Sequence, residues 1–216
     1  MTSLPARIVQ LVVGLWLFGT GCAFTVEAGL GVEPWTVLAE GVARHTGIGV
    51  GWVTIVIGAL VLLAWIPLRQ RPGIGTVANI LIVGTAMEVA LGLIPDVTSH
   101  AWRIPMLALG IALVALASGI YIGAHLGPGP RDGLMTGLHA RFGWPHWAAR
   151  LGIELSVLLA GWLLGGTVGV GTVAFAVLIG PLVHVALPWF DVRKRAERST
   201  SVAVSGAGTP ADPRQA

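Results

Sequence analysis

Two pairs of neighbouring charges carry the chemistry this chain could do. The first is Arg131 and Asp132, in the stretch "LGPGPRDGLMTGL" at 126–138, where Pro130 suits the first position of a short helix. A carboxylate at Asp132 either caps that helix or holds a cation or proton near its N-terminus. Arg131 is either a positive anchor beside the membrane or a planar donor fork for an anion. The second pair is Arg150 and Glu154, four residues apart and able to meet on one helix face. It is either a structural ion pair, or Glu154 shares a polar cavity with Asp132 and forms a protonatable or cation-binding pair.

Other groups are arranged around these. Pro34 and Trp35 open an earlier stretch, "LGVEPWTVLAEGV" at 30–42, that matches the first in the spacing of Leu, Gly and Pro. Thr76 and Thr172 lie in two "GxGT" turns and either cap the following helices or line the site. Asn79 can hydrogen-bond between helices. Glu88 and His184 hold equivalent late positions in two apolar segments, placed to reach opposite ends of an interface rather than each other. No nucleophile elbow, phosphate loop or HExxH motif is present. The six histidines are scattered without ligand spacing and Cys22 is the single cysteine. The expectation is therefore no enzyme, no metal and no cofactor.

The elements that must position these residues are membrane helices. The chain has 216 residues, 55% hydrophobic and 11% charged, with a mean hydropathy of +0.82, against roughly a quarter charged in ordinary soluble domains. Six segments approach the length of about 20 residues that a bilayer requires: Ile8 to Val26, Gly49 to Ile66, Ile74 to Ile94, Ile104 to Ala124, Ala148 to Gly165 and Val170 to Leu187. The "GGTVG" turn between the last two predicts adjacent antiparallel helices. With six spans, 11 of the 13 Lys and Arg residues fall on one side, and only Arg44 and Arg103 on the other. The positive-inside rule then makes both termini cytoplasmic in a bacterial cell membrane, with Glu27, Glu33 and Glu40 outside. The pI near 10.0 reflects this topology rather than nucleic-acid binding. The first segment superficially resembles an export signal, but Gly19 stands where a lipoprotein signal prefers Leu, and the segment is expected to be retained.

Retention also follows from an internal repeat. Shifted by 96 positions, Arg7–Leu91 lies on Arg103–Leu187 without a gap and matches at 27 of 85 pairs, a fixed-offset duplication. Three crossings per copy make the copies inverted, a plan common among secondary transporters. The fold class expected is thus an all-α polytopic membrane protein, two inverted three-helix repeats with a short half-helix after each first span. The boundaries are a tail at 1–6, repeats at 7–95 and 96–187, and a tail at 188–216 that is basic and then disordered.

The motifs "LGVEPWTVLAEGVARHTGIGVG", "RPGIGTVANILIVG", "LGPGPRDGLMTGL", "RLGIEL" and "GGTVGVGTVAFAVLIGP" resemble the YczE/YyaS/YitT-type bacterial membrane proteins, and the YczE branch in particular. The resemblance spans nearly all of Arg7–Leu187 and implies a multi-pass protein of a largely uncharacterised family. It also implies an Asp after "PW", where this chain has Thr36; the first half-helix would then lack its carboxylate and leave Asp132 alone. Two functions stay open: a secondary transporter of a small polar or ionic solute, or a non-transporting component that docks a partner protein and influences its assembly or secretion. Its partners are the lipid bilayer and either that solute, a protein partner or further copies of itself.

Overall fold

The structure is a computed structural model that describes residues 3–95 and 99–192. Eight helices and no strand are found among these residues: α1 Leu4–Ala28, α2 Pro34–Thr46, α3 Val50–Trp65, α4 Ile74–Leu93, α5 His100–Gly123, α6 Pro130–Phe142, α7 His146–Leu163 and α8 Val170–Phe190. Four of them, α1, α4, α5 and α8, are long and apolar enough to cross a membrane, and α2 with α3 would add a fifth if that pair, bent by 115°, is one span. The starts of α5, α6, α7 and α8 each follow those of α1, α2, α3 and α4 by 96 residues. Pro34 and Pro130 each begin a 13-residue helix that ends at a left-handed glycine, Gly47 or Gly143. Both short helices expected from the sequence are present.

The helices pack across the duplication as well as within each copy. The central seam joins α1 to α5, where Gly14 faces Tyr121 and Gly21 faces Gly110 and Val114, so the two run antiparallel. Small residues there let the backbones approach, as is common between membrane helices. α4 lies on α1 and α8 lies correspondingly on α5. The middle helices are exchanged: α3 packs on α6, and α7 on α2.

The connecting bends are exchanged too. Gly31 (φ 104°) and Gly127 (φ 136°) take backbone conformations that side chains disfavour. The amide of Gly171 donates to the Leu30 carbonyl at 2.7 Å, and the amide of Gly75 donates to the Leu126 carbonyl at 2.9 Å. Each bend is therefore held by the first turn of the last helix of the other copy.

Two boundaries and one packing relation differ from the sequence reading. α1 starts at Leu4, within the expected tail, because Pro5 suits a first helical turn. α8 runs through Pro188 to Phe190, so the expected tail begins as helix; residues 193–216 lie outside the described region. The third difference concerns α7 and α8, which lack the packed seam joining α3 to α4, although their turn is as short as expected. α7 is drawn to α2 instead, with Gly161 against the backbone of Leu38.

Candidate functional site

The N-termini of α2 and α6 meet through Glu33, Trp35 and Arg131. Glu33, the residue before Pro34, is only 4% exposed, and its carboxylate takes two hydrogen bonds. Arg131 Nη1 donates to Oε2 at 2.9 Å and the Thr36 hydroxyl donates to Oε1 at 3.0 Å. The Arg131 guanidinium also lies 5.0 Å from the Trp35 ring centroid, a cation–π contact. A salt bridge so placed links the two copies directly, and each member shields the other from the cost of isolated burial.

A carboxylate does stand beside the start of α2. It comes from Glu33, one turn earlier than the position held by Thr36, whose hydroxyl serves that carboxylate. Asp132 is the third residue of α6 and reaches back to the Gly129 amide, half of a capping box. Arg150 Nε donates to Glu154 Oε1 at 3.1 Å, the ion pair foreseen from their spacing.

These groups surround one cavity of about 670 Å³, within the range of small-molecule sites. Pro34, Trp35, Pro130, Arg131, Asp132, Arg150 and Glu154 all line it, together with Glu33, Asn79 and His184. Its remaining wall is mostly apolar, from Phe18 and Val114 to Phe175 and Ile179. Thr76 and Thr172 are elsewhere. Each hydroxyl accepts from the N-cap amide of its own helix, at 3.2 and 3.3 Å, and Thr76 also donates to the Pro128 carbonyl at 2.7 Å. They cap α4 and α8, and Thr76 also holds the bend before α6.

Glu88 and His184 stay apart, as expected. The Glu88 carboxylate accepts from the Gly51 amide at 2.9 Å, at the start of α3, while His184 lines the cavity. Two acids read only as outer charges are buried. Glu33 forms the central pair, and Glu40 accepts from the Thr167 amide at 2.7 Å in the α7–α8 turn. The one available signal for Glu33 was its place beside Pro34 in the repeated motif. Among the described residues no group of three His, Cys, Asp or Glu side chains could hold a metal ion.

Comparison with known proteins shows the family. The model of the family of unknown function DUF6198 matches residues 5–188. The chain belongs to that family. It is 40% identical over 186 residues to an uncharacterized protein of Haemophilus influenzae, covering 86% of this chain and 85% of the relative. It is 33% identical over 177 residues to the uncharacterized membrane protein YczE of Bacillus subtilis, covering 81% and 82%. The uncharacterized protein YyaS of the same organism is 23% identical over 180 residues, covering 82% and 90%. The resemblance to YczE-type proteins thus holds, and this is a membrane protein. No solved structure matches the chain.

Proposed function

We propose that this DUF6198 protein is a secondary transporter of a small polar or ionic solute. The observation that carries the reading is the cavity of about 670 Å³ where two half-helix N-termini meet over a buried Glu33–Arg131 pair. Interrupted helices facing each other across a repeat interface are where secondary transporters bind substrate, and charges at membrane depth are costly enough to suggest function. The exchanged packing of α3 with α6 and α7 with α2 supports two inverted repeats. Six spans then follow from α1, α3, α4, α5, α7 and α8, with both termini in the cytoplasm of a bacterial cell. Cysteine accessibility from either side of the membrane tests that topology.

Thermal stability of the purified protein against a panel of metabolites and ions tests the function. A ligand at a hundredfold over its dissociation constant stabilises by about 2.7 kcal/mol. The expected result is a shift in the wild type that is lost in folded Asp132→Asn and Glu154→Gln. Absence of any shift in folded protein favours the partner-docking alternative.

A further inference from the structure

The two copies differ in one seam, and the difference is written in side chains. In the first copy, α3 and α4 are closed together. Gly51 packs against the backbone at Gly84, Gly58 lies against Ile80, and the Glu88 carboxylate bonds the Gly51 amide. The residues 96 positions later are Trp147 for Gly51, Glu154 for Gly58 and His184 for Glu88. A bulky indole replaces the hydrogen atom that allowed close approach, and Gly180, the counterpart of Gly84, has open space where a side chain would go. α7 and α8 accordingly stand apart. The cavity is lined on both sides of this gap, by Arg150 and Glu154 of α7 and by Ala176, Ile179, Gly180 and Val183 of α8.

The polar end of the cavity sets the other requirement. Glu33 is paired with Arg131, Glu154 with Arg150, and Asp132 with the N-terminus of α6. His184 aside, each ionised side chain described in the wall already has a partner: the two arginines hold two of the three carboxylates, and the partial positive charge of the α6 N-terminus offsets the third, so no unengaged charge is left to pair a charged solute. Among the described residues, one buried polar atom of the wall is unmatched. The indole Nε1 of Trp35, a residue only 7% exposed, is buried without a hydrogen-bond acceptor, an arrangement that costs free energy until an acceptor arrives.

We propose that the gap between α7 and α8 is a side entrance through which a bilayer-borne amphiphile with an electrically neutral, acceptor-bearing head reaches the cavity. The apolar body lies along the Ile179 and Val183 face of α8, and the head meets Trp35. This rests on the cavity being a solute site, and it narrows the solute from polar or ionic to neutral and amphipathic.

The test uses the full chain in phospholipid nanodiscs and a monoacylglycerol carrying a diazirine in its chain, with mass spectrometry locating the labels. Fatty-acid and alkylammonium probes of the same chain length run in parallel. The monoacylglycerol should label the cavity wall at Ile57 and Val114. That labelling should fall at least tenfold in Ala176→Trp, which fills the gap, and persist in Val185→Trp, on the opposite, outward face of α8. Gly180→Phe replaces Ala176→Trp if the latter does not fold. Labels confined to outward faces, or unchanged by the filled gap, overturn the side entrance; equal cavity labelling by the charged probes overturns neutrality. If a water-soluble compound shifts thermal stability while the amphiphile never enters, the solute site stands and the side entrance falls. If neither binds, both readings fall together.

Discussion

The α3–α4 seam and the α7–α8 gap arise from segments of common pattern, yet one is shut and the other open. The shut seam uses Gly51, Gly58, Gly84 and the Glu88 carboxylate, whereas the open one presents Trp147, Glu154 and His184 in corresponding places. Duplication supplies two like scaffolds, and a handful of side chains at the contact decide which one seals. A second lesson concerns the connecting turn. Its length limits how far two helices can separate at one end, but only side chains along their length hold them together.

The largest effect should come from the centre that both copies share. Arg131→Ala strands the Glu33 carboxylate, and breaking a buried pair in this way costs about 3–5 kcal/mol. Unfolding measurements should show much of that loss restored in the double variant with Glu33→Gln. The seams come next, and here the comparison can be broken directly. A Cβ at Gly84 would lie 2.6 Å from the Gly51 carbonyl oxygen, while Gly180 has room. Gly84→Ala should therefore destabilise by about 1–3 kcal/mol, and Gly180→Ala should be neutral or slightly stabilising because Ala is the better helix former. Equal effects at both sites would contradict the asymmetry. Glu88→Gln, which weakens a charge-assisted bond without removing the acceptor, should cost about 1 kcal/mol. The smallest effect belongs to Arg150, 61% exposed in its pair with Glu154. Arg150→Ala should change stability by less than about 1 kcal/mol, so a larger loss would mean that α7 is held more tightly than its open seam implies.

Much of this was legible in the residues. The 96-residue offset located all four helix starts of the second copy from those of the first, and the two prolines located the half-helices. Seven of the nine residues singled out for a solute site line one cavity. What could not be read were relations between distant elements. Glu33 and Arg131 are 98 residues apart, and a local reading places Glu33 with the surface charges because nothing near it in the chain is its partner. The open seam escaped for a related reason: a short turn is a local signal, while the pull of α2 on α7 is not.

The seam between α1 and α5 has a consequence for how the protein is made. Arg7 donates through Nε and Nη2 to the carbonyls of Ala124 and His125, which emerge 117 and 118 residues after it. At roughly 5–20 residues per second of synthesis, the first helix waits roughly 6 to 24 seconds for the acceptors of its arginine and for the face that Gly14 and Gly21 are shaped to meet. The first copy is thus not a self-sufficient folding unit. A chain halted before α5 emerges leaves α1 with its principal contact still unmade.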